Sequence, residues 1–104
     1  GIVSQGREDY WQWVTTYRVK VSDDGEVWQD VECGRIFDGN TDRTTQVKNM
    51  FDYPVSARYV RIYPERYYGY MAMRVGVLLC EAKCSDGHLQ YNLGSSLSSV
   101  TGGP

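Results

Sequence analysis

The clearest signal along the chain is an alternation of apolar and polar side chains with a period of two. Between Trp13 and Val21 the odd-numbered residues share one face and the even-numbered residues share the other. A period of two predicts a β-strand with one buried face. The Asp-Gly turn within residues 22–26 predicts a hairpin. Its return strand would run from Val27 to Val31, with Trp28 facing the core.

Shorter apolar runs predict further strands. They are Ile36-Phe37, Thr44 to Phe51, Ala57 to Tyr63 and Met71 to Leu79. Pro54 and Pro64 are expected to end strands, because proline cannot donate to a β-ladder. No stretch has the 3.6-residue period of a helix. Short strands separated by turn signals predict an all-β sandwich or barrel.

The composition changes after Cys84. Residues 94–99 and 102–104 are rich in glycine and serine, which is typical of a linker or tail. Residues 89–93 alternate and form one candidate strand. We therefore expect a domain over residues 1–84 and a Gly/Ser-rich tail over residues 85–104.

The totals exclude some classes of function. The chain has 104 residues, enough for one domain, and its net charge of −2 gives no basic face for nucleic acid. It has a single histidine, His88, in the tail. A Ser-His-Asp or Cys-His catalytic set is therefore not expected, and we predict that the protein is not an enzyme. The three cysteines cannot all pair within the chain, because their number is odd.

Several short segments follow one another, in order, between residues 1 and 84. They include Gln5-Gly6-Arg7, Ser22-Asp23-Asp24-Gly25, Ile36-Phe37-Asp38-Gly39-Asn40-Thr41-Asp42, residues 54–64 and Leu78-Leu79-Cys80. Together they resemble the discoidin family, the C-type domain of coagulation factors V and VIII. The resemblance implies a discoidin-type jellyroll β-sandwich or distorted barrel with protruding loops at one end. It also implies a secreted, extracellular, non-catalytic adhesion or recognition module.

The chain departs from the family pattern at both ends. A family domain carries some 60–70 residues before this starting point, within the usual size of a domain. The chain thus resembles the C-terminal two-thirds of such a domain, lacking the N-terminal strands or carrying a permuted one. Residues 89–94 and 100–102 resemble the family strand just upstream of this starting point. They match it by chance, begin another repeat, or form a permuted strand that replaces the missing one.

The family resemblance also bears on the cysteines. Cys80 matches the closing cysteine of the family, whose partner lies in the part that this chain lacks. The spacing from Cys80 to Cys84 resembles the end of retinoschisin-type members. That makes Cys84 a candidate interchain bridge and the protein a candidate oligomer or part of a larger multidomain assembly. The alternative is a Cys33–Cys84 bond within the chain, and each pairing implies an oxidising compartment.

The loop from Gln5 to Trp13 is the main candidate binding site, because it resembles a complete family binding loop. Tyr and Trp offer large apolar area with a polar group, and arginine can pair with a carboxylate, sulfate or phosphate. The candidate ligand contacts are Arg7, Glu8, Asp9, Tyr10 and Trp11. In the alternative, Arg7 and Asp9 pair with each other and hold the loop. The acidic tip disfavours an anionic lipid surface unless calcium bridges it, which favours glycans or cell-surface and matrix glycoproteins.

Three further groups are candidates for chemistry or support. A second contact surface is predicted at Tyr67, Tyr68 and Tyr70, with a packed loop as the alternative. Weak calcium candidates, without the full loop spacing, are Asp38, Asn40 and Asp42. Paired structural arginines are expected at Arg58, Arg61 and Arg74, because buried charge must be compensated.

The sequence thus leaves three functions open. The first is glycan or glycoprotein binding through the Gln5–Trp13 loop. The second is a disulfide-linked structural matrix protein, and the third is a module that binds anionic phospholipid. No cofactor is expected, apart from the calcium candidate.

Overall fold

The computed structural model describes the backbone of residues 1–85 and 88–101 and the side chains of residues 1–80. In this part of the chain the elements are β1 (Ile2–Gln5), β2 (Trp13–Ser22), β3 (Gln29–Asp30), a 3-10 turn (Val31–Cys33), β4 (Phe37–Asp38), β5 (Val47–Asn49), β6 (Tyr59–Tyr68), β7 (Ala72–Ser85) and β8 (His88–Thr101). The predicted all-β class is confirmed. Within the described residues, no helix has the length and apolar character to cross a membrane.

The strands form two antiparallel sheets. The first has the order β5-β1-β7-β8. The second is centred on β2, which pairs with β6 along its whole length. The short strands β3 and β4 pair with separate parts of β2, at Lys20–Val21 and Thr16–Tyr17.

The core lies between the two sheets and includes the apolar face predicted for β2. Tyr17 and Val19 are fully buried, and Tyr17 stacks on Phe37 with ring centroids 5.6 Å apart. Ile2 and Met73 meet this face from the other sheet. Burial of each large apolar side chain contributes about 1.5–3 kcal/mol. Burial also raises the pKa of Tyr17, whose hydroxyl accepts a hydrogen bond from the Asn49 amide at 3.0 Å.

The alternation in β2 breaks near its start, where β2 and β6 carry bulges. The register shifts leave Thr15 as an extra residue on β2 and Glu65 as an extra residue on β6. Val14, assigned to the polar face by the alternation, is fully buried as a result. The expectation that Pro64 ends its strand is also wrong. Proline is tolerated at a bulge, and β6 continues to Tyr68.

The predicted return strand with an inward-facing Trp28 is wrong in extent and in burial. Only Gln29 and Asp30 pair with β2. The Asp24 carboxylate accepts the backbone N–H groups of Glu26 and Val27 at 2.8 and 2.9 Å, so these groups are taken by the turn rather than by the ladder. Trp28 is half-buried at the surface, with the Arg61 guanidinium carbon 3.9 Å from its ring centroid.

The strand predicted over Thr44 to Phe51 is shorter, for a similar reason. The Asp42 carboxylate accepts the N–H groups of Thr44 and Thr45 at 3.1 and 2.8 Å. These residues therefore belong to a turn, and β5 is confined to Val47–Asn49.

The tail differs most from the sequence-based expectation. Residues 94–99, expected to be linker, lie in β8, which pairs with β7 from Ser85↔His88 to Ala72↔Thr101. The edge of β7 offers a row of backbone N–H and C=O groups, and pairing satisfies them whatever the side chains are. The candidate strand at residues 89–93 is thus part of a 14-residue strand.

Candidate functional site

The Gln5–Trp13 loop lies at one end of the sandwich, which we call the site end. Here β1 ends at Gln5, β2 begins at Trp13 and β6 ends at Tyr68, which pairs with Trp13. The other end, called the far end, holds the close of β2 at Ser22 and the loop over residues 50–58. The backbone N–H of Arg58 donates to the Ser22 carbonyl at 3.1 Å.

Arg74 fastens three segments together at the site end. Its Nε donates to the Gly6 carbonyl at 2.9 Å, and its Nη2 donates to the Arg43 carbonyl at 3.1 Å. Its Nη1 lies 4.0 Å from the Glu8 carboxylate. The structural role expected of Arg74 is confirmed. Arg61 instead covers Trp28, and Arg58 is exposed, so the expectation of burial is wrong for these two.

The loop is held by its own hydrogen bonds. The backbone N–H of Arg7 donates to the Gln12 carbonyl at 2.9 Å, and that of Gln12 donates to the Tyr10 carbonyl at 2.8 Å. Arg7 Nε pairs with Asp9 Oδ1 at 2.9 Å, and its guanidinium carbon lies 4.2 Å from the Tyr10 ring centroid. The Arg7–Asp9 pair expected in the alternative interpretation, in which these residues hold the loop, is therefore formed. A ligand role for these two residues stays a prediction.

Trp11 stands out on this loop because 66% of its surface is exposed. Beneath it lies Trp13, with ring centroids 6.2 Å apart and planes at 59°. Trp13 in turn stacks on Tyr68 at 4.6 Å and 12°. The three rings thus form one group, in which the buried Trp13 contacts both of the exposed rings, Trp11 and Tyr68.

The two aromatic clusters that the sequence presented separately are neighbours in the structure. Tyr67 and Tyr68 are about half exposed at the end of β6. Gly69 has φ +78°, and a Cβ there would come within 2.6 Å of the Trp11 carbonyl oxygen. Glycine at this position thus lets the turn over residues 67–70 contact the Trp11 backbone. Tyr70 is half-buried.

Arg43 is the site residue that the sequence did not indicate. Its guanidinium carbon lies 4.5 Å from the Trp11 ring centroid, close enough for a cation–π contact. Arg43 lies next to the loop because its backbone packs against Gly6. The two backbones are so close that a Cβ added to Gly6 would come within 2.8 Å of the Arg43 Cα. Gly6 in Gln-Gly-Arg marks a close approach of backbones, but nothing in the sequence says which segment approaches.

Two of the three calcium candidates, Asn40 and Asp42, make side-chain hydrogen bonds within the protein. The buried Asn40 amide donates to the carbonyls of Ser4 and Thr45 at 3.1 and 2.8 Å. The Asp42 carboxylate also accepts the Thr45 hydroxyl at 2.6 Å, and these hydrogen bonds hold its pKa below the usual range. Among residues 1–80 no group of three or more Asp, Glu, His or Cys side chains is placed so that it could hold a metal ion. The side-chain oxygen of Asn40 is buried without a hydrogen-bond partner among the described residues, and calcium binding by Asp38, Asn40 and Asp42 stays a prediction.

None of the three cysteines belongs to the Gln5–Trp13 loop. Cys33 and Cys80 are free and exposed, so the alternative Cys33–Cys84 bond is not formed in this structure. The Cys84 side chain lies outside the described residues. Its role as an interchain bridge stays a prediction.

The fold and the site together define a β-sandwich domain that presents aromatic loops at one end. The family model for the F5/8 type C domain matches residues 1–77, and the chain belongs to this family. The resemblance drawn from the sequence motifs is confirmed.

Several relatives are similar to this chain. Retinoschisin of Takifugu rubripes is 38% identical over 90 residues, which cover 82% of this chain and 32% of that protein. Lactadherin of Sus scrofa is 39% identical over 77% of this chain and 21% of that protein. The structure of discoidin II from Dictyostelium discoideum matches with 28% identity and a TM-score of 0.68, over 79% of this chain and 37% of that one. The chain thus spans between 21% and 37% of the length of these relatives.

Proposed function

We propose that the chain is a non-catalytic extracellular module that binds glycans or glycoproteins through the Gln5–Trp13 loop. One observation carries the proposal: Trp11 is two-thirds exposed at the tip of a loop whose backbone is fixed by hydrogen bonds. The Trp11 indole is not isolated, because Tyr10, Tyr67 and Tyr68 are also about half exposed at this end, and a clustered aromatic surface is typical of a contact site. Membership of the F5/8 type C family supports an extracellular recognition role.

The chemistry around Trp11 suits a sugar. An indole packs against the apolar face of a pyranose ring and loses little conformational entropy, because it has only two side-chain torsions. Glu8, whose side chain is 81% exposed, and Asp9 present acceptors for sugar hydroxyls beside it. Because the loop is already ordered by its own hydrogen bonds, little further conformational entropy is lost when a ligand binds.

The test is binding to a broad glycan array, with calcium and with chelator. The Trp11→Ala variant is expected to lose binding by tenfold or more, because it removes the stacking surface, while the fold is retained. The matched control is Tyr53→Ala, since Tyr53 is an aromatic residue 77% exposed in the far-end loop. A blank array from folded protein would overturn the proposal, and binding that survives Trp11→Ala would remove it from this loop.

A second candidate function is a disulfide-linked structural assembly. It is favoured by the two exposed free thiols, Cys33 and Cys80. Covalent oligomers on a non-reducing gel, lost in Cys80→Ser or Cys33→Ser, would support it. A single monomer band under oxidising conditions would count against it.

A further inference from the structure

We infer that the Trp11 site takes an acidic sugar, one that carries a carboxylate or sulfate, and that Arg43 selects for this anion. The inference rests on the proposed glycan-binding function and names the class of glycan. It starts from the position of Arg43, whose guanidinium carbon lies 4.5 Å from the centroid of the exposed Trp11 ring.

The charge of Arg43 is not balanced within the site. Arg7 is paired with Asp9 at 2.9 Å, and Arg74 donates to two carbonyls and faces Glu8. In contrast, Arg43 has no carboxylate within 4 Å and no acceptor for its N–H groups among residues 1–80. A guanidinium carries five N–H donors that match a carboxylate or sulfate in a two-point contact. Arg43 therefore leaves a positive charge and its donors available beside the indole.

Arg43 is mounted rigidly, as a selecting residue must be. Its carbonyl accepts the Arg74 Nη2, and its Cα rests against Gly6. The neighbouring Asp42 closes the turn by accepting the Thr44 and Thr45 N–H groups. The guanidinium thus extends from a fixed backbone, and its contact with the Trp11 ring limits the orientations of the side chain before an anion binds.

The spacing suits one acidic sugar unit. A pyranose ring packed on the exposed part of the Trp11 indole would lie beside the Arg43 guanidinium, whose carbon is 4.5 Å from the indole centroid. A carboxylate or sulfate on that ring can then accept from Arg43 while the ring stays stacked. A neutral sugar would make the stacking contact alone.

The other charges at the tip favour a single acidic group over an anionic membrane. Glu8 and Asp9 project from the same loop, with side chains 81% and 64% exposed. Because each of them stands beside an arginine, the tip has mixed charges and lacks the uniformly basic face that a continuous layer of anionic headgroups attracts. One acidic group on a sugar can pair with Arg43 and avoid both carboxylates.

The experiment compares matched glycan pairs that differ only by one carboxylate or sulfate, using the whole chain. The wild type is expected to bind the acidic member at least tenfold more tightly, and Arg43→Gln is expected to abolish most of that preference, measured as the ratio of the two affinities within the same variant. Arg43→Lys keeps the charge but not the planar fork, so it should give an intermediate preference.

The matched control is Arg58→Gln, which removes the same charge from an exposed arginine at the far end. The ten residues of β2 separate the two ends by about 30 Å at 3.3 Å per residue. The control is expected to keep the preference for the acidic member. Circular dichroism and the melting temperature verify that each variant is folded.

The outcomes separate the two proposals. Equal binding of acidic and neutral members by the wild type would overturn the inference and leave glycan binding intact. No binding of any glycan by folded protein would overturn both. Binding only to phosphatidylcholine vesicles containing phosphatidylserine, lost in Arg43→Gln, would assign the Arg43 contact to lipid and overturn the acidic-sugar assignment.

Discussion

At the scale of single residues, short side chains that bond to nearby backbone decide the shape of the loops. Asp42 accepts two backbone N–H groups and the Thr45 hydroxyl, and these bonds fix the turn over residues 42–45, which includes Arg43. Asp24 does the same for the turn after β2. Alternation patterns do not register these local bonds, which is why both neighbouring strands are shorter than the sequence predicted.

The lowered pKa of Asp42 gives a pH-dependent prediction. A carboxyl whose pKa is lower when folded than when unfolded adds stability above about pH 4, and this stability is lost as the pH falls through the folded pKa. In urea titrations from pH 7 to pH 2, Asp42→Asn is expected to be less stable at pH 7 and to lose less stability in acid than the wild type.

The control for this titration is Asp23→Asn, at an exposed residue of the β2–β3 turn. It is expected to change the unfolding free energy at pH 7 by less than about 0.5 kcal/mol. Glu32 and Asp24 also have lowered pKa values, because they accept backbone N–H groups. The Asp42→Asn variant therefore still loses some stability in acid, through these two residues. Identical acid slopes for wild type and Asp42→Asn would contradict the assignment.

At the scale of elements, the site depends on how closely two loops approach. A Cβ on Gly6 would come within 2.5 Å of the Asp42 carbonyl oxygen and 3.0 Å of the Trp13 Cβ, and neither atom belongs to a flexible side-chain end. Gly6→Ala is expected to cost about 1–3 kcal/mol of unfolding free energy, through displaced backbone. Urea denaturation measures it, with the exposed Ser56→Ala as control. A loss no larger than that of the control would mean that the loops can separate freely.

The pairing of β8 with β7 gives a second prediction at this scale. Because β8 runs antiparallel to β7 over its whole length, about half of its backbone N–H groups should point into the ladder. Hydrogen exchange is expected to be slowed at alternate amides over residues 88–101. Exchange at random-coil rates across these residues would restore the linker predicted from their composition.

At the scale of the whole molecule, the two ends of the sandwich differ in character. The far end holds an apolar groove with a cavity of about 550 Å³, lined by residues that include Met50, Val55, Val60 and Leu79. These four side chains are between 40% and 53% exposed. An apolar surface of this kind favours self-association, and it is remote from the Trp11 loop.

Leu79→Gln is therefore expected to reduce concentration-dependent association and to change the unfolding free energy by less than about 0.5 kcal/mol. Sedimentation velocity and urea denaturation measure the two effects. The matched control is Leu78→Gln, because Leu78 is only 8% exposed and should lose stability on burial of the amide. Glycan binding should be unchanged in Leu79→Gln. If Leu79→Gln instead lost as much stability as Leu78→Gln, Leu79 would belong to the core and the prediction of a surface role would be wrong.

The sequence by itself determined the all-β class, the buried face of β2 around Tyr17 and Val19, and the family, because strand periodicity and turn motifs are local properties. It also singled out the loop that carries Trp11. Only the tertiary structure decided that Arg43 and Tyr68 join this loop and that Trp28 lies under Arg61 at the surface. It also decided that the Gly/Ser-rich tail forms β8. The physical reason is the same in each case: these contacts join residues far apart in the chain, and packing, bulges and edge pairing set them.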